Sequence, residues 1–183
     1  MKKIIAAILV LGVCAPVFAA GEFQKDASVL LGYGMPGGDT GDVIDGGIAF
    51  GLDYDGYKVN ENVMIGAEFI YTGGSGSVAT VDYDFSVWGL TPYVKYQKEV
   101  SLSGKKAVAY GLFGLGEYFG STEVSNAGAL NGTTDDNSFG FNLGGGIMFP
   151  MMDKMQIGFD LRYHSMGSDT SYVVPAAKFT YSF

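Results

Sequence analysis

MQIGFDLRYHS, residues 155–165, decides the fold. Its odd positions are Met155, Ile157, Phe159, Leu161 and Tyr163; its even positions are Gln156, Gly158, Asp160, Arg162 and His164. Successive side chains of a β-strand point to opposite faces, so the stretch has one apolar face and one polar face. The pattern recurs. In 63–72, Val63, Ile65, Ala67, Phe69 and Tyr71 oppose Gly66, Glu68 and Thr72. In 47–55, Ile48, Phe50, Leu52 and Tyr54 oppose Ala49, Gly51, Asp53 and Asp55. At the carboxyl end, Val173, Ala177, Phe179, Tyr181 and Phe183 oppose Lys178, Thr180 and Ser182.

Such runs predict eight strands, at about 27–35, 46–58, 63–73, 82–98, 106–121, 138–150, 155–166 and 171–183. Short connections follow strands two, four and six, at Asn60-Glu61-Asn62, around Ser101 to Gly104, and at Met152-Asp153-Lys154. Longer polar loops are expected after the odd strands, notably 36–45 and 122–137. Short turns at one end and long loops at the other, on an even number of alternating strands, are the marks of an outer-membrane barrel. Both termini then fall on the short-turn side, which is the periplasmic one.

The opening MKKIIAAILVLGVCAPVFAA has two lysines, an apolar run from Ile4 to Val13, and Val17-Phe18-Ala19 as a cleavage site. This is the layout of a secretory signal peptide, and the apolar run is short of the roughly 20 residues of a spanning helix. A leader over 1–19 and one barrel domain over 20–183 are expected, with Cys14 discarded in the leader. Without Lys2 and Lys3, nine basic side chains face 19 acidic ones, a charge of about −10 that argues against nucleic acid. Glycine at 29 residues, aromatics at 14% and charges at only 16% fit a membrane barrel better than a linker or a disordered chain.

Two strands resist simple alternation. Over 82–98 the apolar set passes from Tyr83, Phe85 and Val87 to Leu90, Pro92, Val94 and Tyr96, which predicts a bulge near Trp88. Pro92 lacks an amide donor and adds to the expected irregularity. The run AYGLFGLGEYFG within 106–121 is apolar on both faces, and Glu117 marks its expected inward side.

FGFNLGGGIMFPMMDKMQIGFDLRYH, residues 139–164, resembles the eight-stranded outer-membrane barrel superfamily of the OmpX, OmpA-transmembrane and opacity-protein kind. The likeness rests on Phe141, Gly144, Gly146, Pro150, Asp160 and Tyr163, and extends over the whole mature chain. TPYVKYQ at 91–97 is similar to a Gly-Pro-aromatic strand of that family, with Thr91 in place of the glycine. The resemblance implies that Phe179, Tyr181 and Phe183 form the signal read by the barrel assembly machinery. It also implies outer-membrane lipid and lipopolysaccharide as surroundings, and a monomer.

An eight-stranded barrel leaves an interior that side chains can fill. The inward assignments set Asp53, Glu68, Glu117 and Asp160 against Lys95, Arg162 and Lys178, with His164 near the outer rim. Unpaired charges in such a place are costly, so near-balanced signs predict a paired network that plugs the lumen. The competing expectation is a narrow pore, or a channel for small or apolar solutes.

Some barrels of the resembled kind modify lipid A, and the deacylase kind carries His-x-Ser late in the chain. Here Ser165 follows His164 directly, so the two face opposite sides of a strand and no general base reaches a nucleophile. The acyltransferase kind has a histidine in its first loop, and 36–45 has none. No catalytic activity and no cofactor are expected. The outer loops gather Asp39, Asp42, Asp45, Asp82, Asp84, Glu123, Asp135, Asp136 and Asp169. GDTGDVID is far from a complete calcium-loop ligand set, so no metal is expected. The expectation is a structural or surface-interaction barrel whose loop ligand the residues do not name.

Overall fold

The computed structural model describes residues 22–38, 45–127, 131–167 and 170–183. The expected leader, its Cys14, and Asp39, Asp42 and Asp169 lie outside them. The described residues form eight strands: β1 (Glu22–Gly38), β2 (Gly47–Lys58), β3 (Val63–Val78), β4 (Val81–Leu102), β5 (Lys105–Ser125), β6 (Gly132–Met152), β7 (Met155–Met166) and β8 (Thr170–Ser182). Each pairs antiparallel with its neighbour in sequence, and β8 returns to β1, so the sheet closes into an up-and-down barrel. Val29 lies opposite Phe179, and Leu30 opposite Lys178, along that seam. Past the last strand residue, Phe183 N still donates to Lys25 O at 3.0 Å.

Alternation of exposed and buried positions carries through the wall. On β7, Ile157, Phe159 and Leu161 are exposed while Gly158, Asp160, Arg162 and His164 are buried. Exposed Leu31, Ile48, Leu52, Leu90, Val94 and Phe113 continue the apolar band around the outside. Such a band would be an aggregation surface in water. Against hydrocarbon it is the correct solvent match, and closure leaves no backbone edge unpaired there.

The bulge expected near Trp88 is absent. The β3–β4 register runs unbroken from Val63↔Tyr96 to Val78↔Val81. Phe85 and Val87 turn inward instead, because the lumen at this end is itself apolar. Apolar character therefore did not mean outward. At Pro92 the ladder to β5 skips from Leu90↔Glu117 to Tyr93↔Gly114 in the same register, a local loss without a slip. The register shifts that do occur lie at Phe23/Asp26, Asp55/Tyr57 and Pro150/Met152, all near the short-turn end.

The expected loop at 122–137 is mostly ladder: β5 runs to Ser125 and β6 begins at Gly132. Likewise β3 and β4 meet at a two-residue turn, Ala79-Thr80. These segments are polar because both faces of a hairpin above the membrane meet water, not because they are unpaired. At the other end, Ser103 and Gly104 both have positive φ, 51° and 79°, the primed turn whose twist suits a tight hairpin.

Candidate functional site

Arg162 stands at the centre of the lumen, 1% exposed. Its Nη1 and Nη2 donate to the two oxygens of Asp53 at 3.0 and 2.5 Å. Its Nε and Nη2 donate to Asp160 at 2.9 and 3.1 Å. It also forms an ion pair with Glu68, whose Oε1 accepts from Asn142 Nδ2 at 3.0 Å. One planar guanidinium thus engages three carboxylates from β2, β3 and β7, a task suited to its fixed fork of donors.

The network extends to both sides of Arg162. Lys178 Nζ donates to Asp53 at 2.7 Å and lies 4.8 Å from the centre of the Tyr110 ring. Tyr110 donates to Asp160. Asp55 accepts from Lys95 and, at 2.7 Å, from the Tyr93 hydroxyl. These side chains come from every strand but β1, so the network ties the wall together across its interior. Breaking one member would strand a charge away from water, which is the costly event in buried ion pairs.

Glycines make the room. A Cβ at Gly144 would press on the Arg162 side chain, and one at Gly146 would meet Phe159 O and the Tyr110 hydroxyl. The two glycines lie directly opposite Arg162 and Asp160 in the β6–β7 ladder. The G-x-G of β6 is therefore the cavity into which the guanidinium network fits.

An apolar layer lies beside the network on the long-hairpin side. Leu30, Ala49, Ile70, Val87, Tyr118 and Met166 belong to it, together with Tyr172, Val174 and Ala176. Along β2, β3, β4, β7 and β8 the charged residues lie on the short-turn side of these apolar ones. A smaller cluster of Tyr93, Tyr110, Leu112 and Met148 packs on the β4–β6 side.

Six of the seven residues assigned to the lumen stand there: Asp53, Glu68, Lys95, Asp160, Arg162 and Lys178 are buried. Glu117 is not among them. It is exposed on the outer wall, between Leu90 and Phe139, while its neighbour Tyr118 is 1% exposed inside. The charge misled because the lumen takes the aromatic ring; Gly89 leaves the space in which Tyr118 lies. His164 is also moved inward from the expected rim. It is buried, with Nδ1 at 3.1 Å from the Tyr118 hydroxyl and 3.7 Å from Glu68 Oε1. Ser165, on the outward parity of β7, pairs with Phe141 and Ser171. Asp55, Tyr93, Tyr110 and Asn142 complete the network; each shares the inward parity of its strand, a signal present in the alternation itself.

The two ends of the barrel differ in charge: the short-turn end mixes both signs, with Asp26, Glu61, Glu99 and Asp153 among its lysines, and the other end is acidic. Lys25, Lys58, Lys98, Lys105, Lys106 and Lys154 all lie at the short-turn end. Among the described residues of the long-hairpin end there is no Lys or Arg, and Asp45, Asp82, Asp84, Glu123, Asp135 and Asp136 stand there. At the carboxyl end, Phe179 and Tyr181 face outward from β8, and the Tyr181 and Phe183 rings meet edge to face at 5.0 Å.

Solved structures of other proteins share this fold. Neisserial surface protein A (NspA) matches with a TM-score of 0.64 at 9% identity, over 89% of this chain and 99% of its own. Ail, the attachment invasion locus protein of Yersinia pestis, matches at 0.59 and 19% identity, over 87% and 99%. A major outer membrane protein from Thermus thermophilus matches at 0.53 and 14% identity, over 87% and 99%. At these identities the likeness establishes the fold. No curated protein sequence matches the chain. The profile of the outer membrane protein beta-barrel domain family covers residues 5–183, so this closed, lipid-banded chain belongs to that family of bacterial outer-membrane barrels.

Proposed function

We propose that the protein is a sealed outer-membrane barrel that acts through its acidic end at the cell surface, without conduction and without catalysis. The observation that carries this reading is the Arg162 network under its apolar cap. A conducting path would have to cross a layer of buried Leu30, Ile70, Val87 and Met166 and then dismantle ion pairs with Asp53, Glu68 and Asp160. Neither step has a source of free energy in a passive barrel. His164 and Ser165 on opposite faces support the absence of acyl-transfer chemistry.

The lysine-bearing short-turn end then lies in the periplasm with both termini, and the β3–β4 and β5–β6 hairpins project outward. Phe179, Tyr181 and Phe183 serve as the signal for the assembly machinery, and the finished barrel is a monomer in lipid and lipopolysaccharide. The partner its outer end selects is basic. Ail was solved with a heparin analogue, sucrose octasulfate, which is a polyanion; the acidic residues here carry the sign that repels one. The test is planar-bilayer conductance of the purified, folded barrel. Electrical silence is expected, and reproducible unitary steps would replace this reading with that of a small porin.

A further inference from the structure

Among the described residues, the lumen encloses four carboxylates and three bases. Asp53, Asp55, Glu68 and Asp160 on one side, and Lys95, Arg162 and Lys178 on the other, are each no more than 6% exposed. With His164 neutral, one negative charge is left over. At the short-turn rim the half-buried Asp26 and Lys58 carry opposite signs, so they leave that balance unchanged. A surplus charge shut away from water is unfavourable, and a group so placed takes up a proton instead.

The carboxylate oxygens of the network already meet donors. Asp53 has Arg162 on one oxygen, and Arg162 with Lys178 on the other. Asp160 has Arg162 Nε on one oxygen, and Tyr110 with Arg162 Nη2 on the other. Asp55 has Tyr93 and Lys95; Glu68 has Asn142 and the Arg162 ion pair. A metal ion needs several oxygens turned toward it at once, and these are turned toward nitrogen and phenol hydrogens. A proton needs no such cage. Glu68 Oε1 lies 3.7 Å from His164 Nδ1, which is 3.1 Å from the Tyr118 hydroxyl. His164 Nε2 is buried and has no hydrogen-bond partner among the described residues.

Among groups this close, a bound proton belongs to the cluster and not to one residue. The other titratable side chains buried around it are Tyr93 of β4, Tyr110 and Tyr118 of β5, and Tyr172 of β8. With an ordinary value of about 10, a tyrosine is neutral at physiological pH. From β6 comes only Asn142, and β1 offers no titratable group beyond Asp26 at the rim.

We propose that the Arg162 network is a proton-binding site: at neutral pH the folded barrel holds one proton in the cluster of Asp53, Glu68, Asp160 and His164, and that proton completes the charge balance of the plug. Above the ordinary carboxyl and histidine range the unfolded chain has released such protons. Stability therefore declines as pH rises, by about tenfold in the unfolding equilibrium per pH unit. The decline ends where the cluster gives up its own proton. The plug is thus weaker in mild alkali than at neutral pH. The inference does not depend on what the outer end binds.

The test is to count protons. The protein in urea at about pH 7.5, where its carboxylates and most of its histidine are deprotonated, is folded into detergent micelles in unbuffered salt with an indicator dye. About one proton should leave the solvent for each barrel folded. Glu68→Gln and Asp160→Asn each balance the charges, and either should bring the uptake to about zero while heat-modifiable migration, the sign of a folded barrel, is kept. Lys178→Met leaves a second negative charge over and should raise the uptake to about two. No uptake by the parent overturns the proposal, as does an uptake that both carboxylate variants retain. Stability that follows added sodium or potassium at fixed pH, with no proton taken up, also overturns it and assigns the surplus charge to a metal ion.

Discussion

Arg162 on β7 and Asp53 on β2 meet across the lumen through two parallel hydrogen bonds, 3.0 and 2.5 Å long, although three strand interfaces separate them around the wall. A barrel of this size has walls that can touch, and this contact shows that they do. The interior is a second source of order beside the ladder.

Removing the guanidinium should therefore be severe. Arg162→Met leaves Asp53, Glu68 and Asp160 without their shared partner and should cost about 3–5 kcal/mol. Asp53 keeps the Lys178 charge, whereas Asp160 and Glu68 keep only one neutral donor each, Tyr110 and Asn142. Adding Glu68→Gln should recover about 1 kcal/mol or more of that cost as a coupling energy. Urea unfolding in lipid vesicles, followed by Trp88 fluorescence, measures both. Strict additivity would contradict the pairing.

The adjacent outward position obeys another rule. Leu161, 56% exposed in mid-strand, faces acyl chains, and Leu161→Arg should cost about 2–4 kcal/mol in the same assay. Glu117→Leu, on the outer wall near the girdle, should lie within about 1 kcal/mol of the parent. A large loss for Glu117→Leu would place that carboxylate inside the lumen after all.

The glycine cavity in β6 has its own test. Gly146→Val puts branched carbons where the Tyr110 hydroxyl lies, and should destabilise by about 1–3 kcal/mol by overpacking. Adding Tyr110→Ala should relieve only the ring's share of the crowding, because Phe159 O stands closer still to the new Cβ. A double variant as poor as the sum of its parts would show that the glycine acts on the backbone and not on the ring.

Orientation is accessible on whole cells. Ser77 at the β3–β4 hairpin and Ser103 at the β4–β5 turn are both exposed, at opposite ends. With the hairpins outside, Ser77→Cys reacts with a membrane-impermeant maleimide on intact cells, and Ser103→Cys reacts only after the outer membrane is opened. The reverse labelling order would invert the proposed topology.

Phe183→Ser removes the exposed terminal ring but spares the hydrogen bond from the Phe183 amide to Lys25 O. If the three aromatics are the assembly signal, the folded fraction in the outer membrane should fall with little change in the stability of barrels refolded in detergent. Equal losses in the two assays would make the residue a structural one only.

Much of the architecture was legible because a strand writes its two environments into alternate letters. Met155 to Ser165 separates lipid from lumen without ambiguity, and so assigns Asp160 and Arg162 inward and Phe159 and Leu161 outward. Turn chemistry at Ser103-Gly104 and Asp153-Lys154 marks the short end just as directly. Where both faces carry apolar residues the code fails. Glu117 served as the marker for β5 and pointed the wrong way, since a carboxylate is tolerated at the girdle while Tyr118 fills the lumen.

By itself the sequence determined that eight alternating strands would close, and which charges would be shut inside, Glu117 excepted. Only the tertiary structure decided how those charges pair and how the lumen divides into ionic and apolar layers. It also turned Phe85 and Val87 inward with no bulge. The reason is the reach of each constraint. Facing is a property of one strand and its period of two, while the Arg162–Asp53 contact and the inward turn of Tyr118 depend on what the opposite wall leaves empty.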